Sequence, residues 1–336
     1  MQNILITGGA GYIGSHICIK LRESGYQPVV FDNLSNGHRD AVSSDVPFIH
    51  ADIRDSAALN KAFDDFKPAA VIHMAALIEA GASMVEPARF YEVNTAGALN
   101  LLEAMRRNGC NHIVFSSTAA VYGNRDDGLL SETLEVRAEN PYGRSKAMVE
   151  TMLRDYADIY GFHAIALRYF NAAGADPEGR TGERHDPETH LIPLVLQTAA
   201  GQRDHIKIYG TDYDTPDGTC IRDYIHVDDL ASAHVKALSH VIASENAAFD
   251  AVNIGTGEGC SVKEIIELCK EITGQDFSVI EDARRPGDPA KLVANPAKAQ
   301  DMLGWCANYP SPRQIIAHAW AYCQKNMRKP GKPDAQ

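Results

Sequence analysis

Asn3-Ile4-Leu5-Ile6-Thr7-Gly8-Gly9-Ala10-Gly11-Tyr12-Ile13-Gly14-Ser15-His16-Ile17 is the stretch on which the fold turns. Its first five residues are a short apolar run of strand length. Glycines at 8, 9, 11 and 14 follow, and then an amphipathic pattern with a helical period. Strand, glycine turn and helix in that order satisfy both G-x-G-x-x-G and G-x-x-G-x-x-G. The glycines allow a sharp turn, let a pyrophosphate approach the backbone and seat the helix on the sheet. The helix N-terminus then presents unpaired N–H groups and the positive end of its dipole to the phosphates.

Working outward, further strand patterns fall at Pro28–Phe31, Pro47–His50, Ala70–His73, His112–Ser116 and His163–Tyr169. Helical patterns lie between them, notably Gly11–Ser24, Arg89–Arg107 and Pro141–Tyr160. Repeated strand and helix predict an α/β fold, a Rossmann-type doubly wound parallel sheet. After Tyr169 comes a loop-rich region rich in Gly, Pro, Asp and Arg. This places a dinucleotide-binding domain over 1–170 and a smaller α/β substrate-binding domain over 171–336, with some later segments packing back on the first. Later helical patterns lie at Val227–Ala243, Ser261–Ile272, Pro296–Leu303 and Arg313–Asn326. Asp228 or its neighbour reads as an N-cap of the first of these and not as a catalytic acid.

Bulk properties narrow the function. The 336 residues are 45% apolar and 23% charged, the composition of a globular enzyme-sized chain. A formal net charge of -12 repels nucleic acid and anionic membrane, so neither is expected as partner. No apolar run is long enough to span a bilayer. The start of the sequence has no basic segment followed by a long apolar one, so a cytoplasmic location is expected. Seven cysteines are scattered without a C-x-x-C pair and read as reduced thiols. Thirteen histidines show no H-x-x-x-H spacing, and no catalytic metal is expected.

Asp32 ends the second strand pattern, where a carboxylate would accept both ribose hydroxyls and repel a 2′-phosphate. This selects NAD over NADP. Asp52 ends the third strand pattern and reads either as a contact to the adenine edge or as a strand-end cap. Tyr142 and Lys146 stand one helical turn apart behind Pro141, which suits a first helical position. A neighbouring ammonium favours phenolate, so the pair predicts a tyrosine shifted toward neutrality as general base. Phe115-Ser116-Ser117-Thr118 ends a strand in three hydroxyls at the carboxyl edge of the sheet, where ligands bind in open α/β folds.

Together these residues resemble the extended short-chain dehydrogenase/reductase family, with Thr118, Tyr142 and Lys146 matching its catalytic Ser/Thr, Tyr and Lys. The stretches Leu167–Gly174, His190–Pro193, Asp214–Asp229 and Arg284–Asp288 resemble the UDP-glucose 4-epimerase branch. Ala119 and Ala120 stand where sugar-nucleotide dehydratases of the family carry an acidic pair, so dehydration is not expected. The resemblance implies that NAD is lined by Gly8, Gly11, Tyr12, Ile13, Gly14, Asp32, Asn33, Asn36, Asp52, Ile53, Met74, Ala75, Ala76, Asn94, Ser116, Tyr142, Lys146 and Tyr169. For a UDP-sugar it implies Thr118 and Tyr142 at the hexose. Asn171, the Leu191 backbone, Arg222 and Arg285 would lie at the diphosphate, Tyr209 at uracil and Asp288 at ribose, with His190 and Leu292 also in the substrate site. Leu292, at a position held by tyrosine in some glucose-restricted members, adds UDP-N-acetylhexosamines as candidate substrates. Epimerases of UDP-xylose or UDP-uronic acids need the same Thr/Tyr/Lys set, and an inactive sugar-nucleotide-binding regulator keeps the same fold. The two helices at 89–107 and 141–160 resemble those that pair in the family's homodimers.

Overall fold

The computed structural model describes residues 1–125, 128–285 and 287–327. Its centre is a seven-stranded sheet built from β1 (Asn3–Thr7), β2 (Gln27–Asp32), β3 (Phe48–His50), β4 (Ala70–His73), β5 (His112–Ser116), β6 (His163–Tyr169) and β7 (Ala248–Ile254). The spatial order is β7-β6-β5-β4-β1-β2-β3, and every neighbouring pair is parallel. The order reverses at β1, between β4 and β2. Register aligns the strand ends: Thr7 lies opposite Phe31 and His73, and Ser116 opposite Leu167. The residues that follow these ends therefore share one rim.

Period-2 alternation divides the core between the two faces of the sheet. Ile4, Ile6, Val30, Ile72 and Val114 face one layer, packed with Ile17 and Leu21 of α1 (Tyr12–Glu23) and with Leu230 and Leu238. Leu5, Val29, Phe31, Val71 and Phe115 face the other, with Leu59 and Phe63 of α2 (Ser56–Phe66), Leu101 and Met105 of α3 (Gly97–Arg107), and Val149 and Leu153 of α4 (Pro141–Tyr160). Each fully buried Leu, Ile, Val or Phe stabilises the fold by about 1.5–3 kcal/mol.

The helical pattern at 89–107 is interrupted. A short helix at Pro87–Phe90 passes into a π-helical stretch at Tyr91–Ala96 before α3 begins. Asn94 lies in the widened turns. Its Oδ1 accepts the Leu77 N–H at 2.8 Å, and its Nδ2 donates to Leu77 O and Ser145 Oγ, each at 3.0 Å. The next residue but two, Gly97, sits against Ile53, whose Cδ1 would lie 2.6 Å from any Cβ there. A widened turn at a functional rim is a common use of this geometry.

β7 and the helix α5 (Val227–Ala243) lie beyond Tyr169 in sequence but belong to the first sheet. β7 pairs with β6, and Leu230, Ala233 and Val241 of α5 pack into the same core as Ile17 and Leu21. α5 is capped by His226, whose Nδ1 accepts the Asp228 N–H at 3.0 Å. Asp228 itself pairs with Lys20 at 2.9 Å, while Asp229 accepts the N–H groups of Asn308 and Tyr309. The cap expected of an aspartate is thus made by histidine. A separate core, with Ile192, Val195, Ile206, Ile265, Ile315 and Ile316, joins helices α6 (Leu191–Ala199), α7 (Val262–Thr273) and α8 (Pro312–Met327). Among the described residues no helix is long and apolar enough to cross a membrane.

Candidate active site

A cleft of about 410 Å³ opens along the carboxyl rim of the sheet. Its floor is the glycine turn. Gly8 has φ +73°, and a Cβ there would come within 2.6 Å of the Ala75 nitrogen; at Gly14 it would come within 2.3 Å of the Gly8 carbonyl oxygen. No side chain caps the first turn of α1, and no acid lies in it. Its N–H groups and dipole are left for an anion, so backbone and helix fit a dinucleotide pyrophosphate. Gly11, Tyr12, Ile13, Asn36, Ile53, Met74, Ala75 and Ala76 line the same cleft.

Asp32, buried at the end of β2, also lines it. Its Oδ2 accepts the Ala10 N–H at 2.9 Å and its Oδ1 the Leu34 N–H at 2.8 Å. A carboxylate has about four acceptor positions, so two remain for a diol. Asn33 donates to Asp52 at 2.8 Å, and Arg54 grips the same carboxylate through two contacts of 2.9 Å. The Arg54 guanidinium holds Asp52 well below the ordinary carboxylate range. Asn33 and Asp52 line the cleft at its β2–β3 end.

Thr118 follows β5, and Tyr142 is the second residue of α4; both line the cleft. Asn140 caps α4 through the Gly143 N–H at 2.8 Å, which fixes where Tyr142 enters. Burial pushes the Tyr142 phenol above its ordinary range, while a hydrogen bond with the Thr118 hydroxyl acts in the opposite direction. Lys146 is 3% exposed, and its ammonium donates to the Ser116 carbonyl at 2.9 Å above the Phe115 ring. Burial lowers it to about 7. The expected pull of Lys146 on Tyr142 is therefore not what dominates. The lysine is itself close to losing its charge, and desolvation sets the direction for the tyrosine.

Lys146, Ser116 and Asn94 lie behind the cleft wall. The Ser116 hydroxyl contacts Met74 Sδ and sits 2.8 Å from His234 Nε2. It also hydrogen-bonds Tyr169, which does line the cleft. Beneath Thr118 lies a buried network that sequence reasoning missed. Ser117 donates to Glu150 at 2.6 Å, Glu150 is bridged to Arg168 at 2.6 and 2.9 Å, and Arg168 reaches Tyr122, whose hydroxyl donates to Asn253. It fastens α4 to β5, β6 and β7.

Of the residues expected at a sugar nucleotide, Thr118, Tyr142, Asn171, His190 and Leu292 line the cleft, and Ala119 and Ala120 stand beside Thr118 in its wall. Leu191, Tyr209, Arg222, Arg285 and Asp288 lie outside that wall. Arg285 stacks 4.0 Å over the Tyr209 ring, and Arg222 pairs with Asp288 at 3.4 Å while donating to the Pro289 carbonyl. α6 begins at Leu191 without a side-chain cap, leaving its first N–H groups available.

The sequence reading also missed Glu183 and His185 in the cleft wall. With Glu188 and His190 they form a group whose ligating atoms all lie within 4.8 Å of one another. Burial disfavours charge on the two imidazoles, but the two carboxylates outweigh it and raise His185 to about 9 and His190 to about 10. The signal was an alternation of Glu and His over eight residues, at a spacing of five between histidines.

The model of the NAD dependent epimerase/dehydratase family matches residues 4–255. A UDP-glucose 4-epimerase of Rhizobium leguminosarum bv. trifolii is 49% identical over 97% of this chain and 98% of its own length. The crystal structure of UDP-glucose 4-epimerase from Brucella ovis in complex with NAD superposes with a TM-score of 0.92 at 46% identity, covering 96% of this chain and 98% of that one. The UDP-Glc/GlcNAc 4-epimerase of Campylobacter jejuni gives 0.84 at 40% identity, over 97% and 100%. With its sheet order, glycine turn and Thr118/Tyr142 pair, this chain belongs to the NAD dependent epimerase/dehydratase family.

Proposed function

We propose that this chain interconverts UDP-glucose and UDP-galactose by inverting the sugar at C4, without net oxidation. One observation carries the choice among the family's reactions. Thr118 and Tyr142 bring two hydroxyls into the cleft that holds the glycine turn, while the wall positions after Thr118 are Ala119 and Ala120, which transfer no proton. Alcohol chemistry is supplied there, and the positions after Thr118 carry no acid to expel water.

NAD, when bound, supplies a hydride acceptor and donor and a cationic ring that favours phenolate nearby. Tyr142 Oη takes the proton of the sugar O4 and returns it after the 4-keto sugar has turned over in the cleft. Thr118 Oγ donates to the same sugar oxygen. Lys146, anchored on Ser116 O behind the cleft wall, holds the end of β5 against α4 and is the cation that would reach the cofactor ribose. Asp32 takes the adenosine ribose through its two remaining acceptor positions. Asn171, the α6 N-terminus and the Arg222/Arg285 pair hold the diphosphate, Tyr209 faces uracil and Asp288 the uridine ribose.

Residues 1–170 together with α5 and β7 form the cofactor half, and the remainder forms the sugar-nucleotide half. The chain works as a homodimer in the cytoplasm. Leu99 and Met148, exposed apolar residues on α3 and α4, support the pairing surface, and seven free cysteines fit a reducing compartment. A second substrate class, the UDP-N-acetylhexosamines, is favoured by Leu292 in the cleft wall.

The test is incubation of pure protein with UDP-galactose and no added NAD, with UDP-glucose followed by chromatography. Product without accumulating NADH is the expected result. No product, even after NAD is supplied, overturns the reading and makes UDP-pentoses and UDP-uronates the next substrates.

A further inference from the structure

We infer that Glu183, His185, Glu188 and His190 form a closed site for one zinc-class divalent ion, which ties the 183–190 loop to the start of α6 at the wall of the active-site cleft. Four separate facts meet there.

The first is geometry. His190 Nδ1 lies 2.7 Å from Glu183 Oε1 and 3.3 Å from Glu188 Oε1; His185 Nδ1 lies 3.2 Å from Glu183 Oε1 and 3.7 Å from Glu188 Oε2. A tetrahedral zinc with bonds of about 2.0–2.1 Å places its ligand atoms about 3.3 Å apart. These four contacts, with Glu188 turning Oε1 to His190 and Oε2 to His185, straddle that edge length, and the full set of ligand atoms lies within 4.8 Å.

The second is satisfaction. Glu183 Oε1, His185 Nδ1 and His190 Nδ1 are sealed from water; they lie within ion-pair reach of one another, yet none makes a well-directed hydrogen bond. The Glu183–His190 contact is close enough for one, so its failure lies in direction: the ring nitrogen does not aim its N–H at the oxygen. Misdirected, mutually close donors and acceptors whose polar atoms are sealed from water are what an ion between them produces. The Glu183 and Glu188 side chains are each 5% exposed, so these are not solvated surface acids.

The third is support around the ligands. The N–H groups of Thr189 and His190 donate to Glu188 Oε1 at 2.7 and 2.9 Å and fix that carboxylate. The Tyr12 ring meets His185 edge-on with centroids 6.2 Å apart, and its hydroxyl donates to the Gly174 carbonyl at 2.7 Å. Both the glycine-turn helix and the 171–190 loop thus back the cluster.

The fourth is charge. Two carboxylates neutralise a dication, and one dication in place of two imidazolium protons leaves the net charge unchanged. Two imidazole nitrogens with two carboxylate oxygens select zinc or a neighbouring transition ion over magnesium or calcium, which prefer all-oxygen shells. Four protein ligands leave no open position, so the ion organises the loop and takes no chemical part.

The experiment uses the untagged full chain, purified without chelator and analysed for metals by plasma mass spectrometry. It is then stripped with dipicolinate and titrated with zinc sulfate while thermal unfolding is followed. Expected are about one zinc per chain, a melting temperature lowered by several degrees on stripping, and recovery at about one equivalent. The variant carrying Glu183→Gln and His185→Gln is expected to hold less than about a tenth of an equivalent and to lose the shift. Native protein below about a tenth of an equivalent with no thermal response to zinc overturns the inference, as does stoichiometric zinc in the double variant. Should the variant not fold, the wild-type titration decides alone. Neither measurement depends on turnover.

Discussion

Lys146 donates a hydrogen bond to the Ser116 carbonyl at 2.9 Å, so the one buried ammonium of α4 is tied to the last residue of β5 and not to Tyr142. Burial lowers this lysine to about 7. In the unfolded chain it titrates at roughly 10.4, so between those values the unfolded state binds more protons and stability rises with pH. The penalty is fully present below pH 7 and is relieved as pH climbs toward 10. Denaturant unfolding at pH 7 and pH 9 is expected to show the wild type gaining on Lys146→Met by about 1–3 kcal/mol. Equal differences at both pH values would show that the lysine is not charged at a cost in the native state.

Replacing Tyr142 by Phe removes the hydroxyl that moves the sugar proton and leaves the ring packed with Leu77 and Phe90. We expect kcat to fall about 10²–10⁴-fold with thermal stability nearly unchanged. Thr118→Val should cost less, and the double substitution should cost little more than Tyr142→Phe alone, because both hydroxyls act on one oxygen. Steady-state kinetics of the four proteins read this directly. Multiplying penalties would separate the two residues into independent roles.

The glycine turn offers a steric test. A Cβ at position 14 would stand 2.3 Å from the Gly8 carbonyl oxygen, a backbone atom that cannot move aside without opening the turn. Gly14→Ala is expected to destabilise the protein by about 1–3 kcal/mol and to abolish retention of NAD through purification, measured by acid release. Gly81→Ala, where a Cβ meets nothing within 4 Å, serves as the control and should leave both unchanged.

Glu150 and Arg168 are buried together, 6% and 4% exposed at the side chain. Removing one partner strands the other charge, so Arg168→Met should lower stability by about 3–5 kcal/mol. Because Ser117 hangs from the same carboxylate, the end of β5 should loosen as well. A fall in kcat larger than the loss of folded protein would report that loosening.

The sequence was most legible where one physical rule acted alone. Six strands of the central sheet came from short apolar runs, and the inner ones among them are buried on both faces with no polar side to obscure the pattern. β7 was not named, since it is an edge strand whose first half is only partly buried and its apolar run is diluted. Tyr142, Thr118 and the glycine turn were readable because their chemistry needs fixed local spacing. Glu150 and Arg168 lie on different elements, and only the β5–α4–β6 packing joins them. The Glu183–His190 cluster lies within eight residues but in a loop without periodicity, where spacing alone does not say which side chains converge. Sequence gives the proximity of Tyr142 to Lys146 but not their shared burial, which pushes the phenol up and the ammonium down in the protein alone.

Leu292 gives the sharpest test of specificity. It lies on the short strand Lys291–Ala294, paired in parallel with Arg222, and its side chain forms part of the cleft wall. Leu292→Tyr adds an aromatic ring to a cleft of about 410 Å³, and its bulk competes with an N-acetyl group far more than with a hydroxyl. We expect kcat/KM for UDP-N-acetylglucosamine to fall at least about 10-fold while that for UDP-glucose changes less than about 3-fold, consistent with the 1–3 kcal/mol that pocket bulk commands. Parallel assays of both sugars on wild type and variant decide it. An equal loss for both would place Leu292 in general packing, and no wild-type turnover of the N-acetylated sugar would show that other residues already close that space.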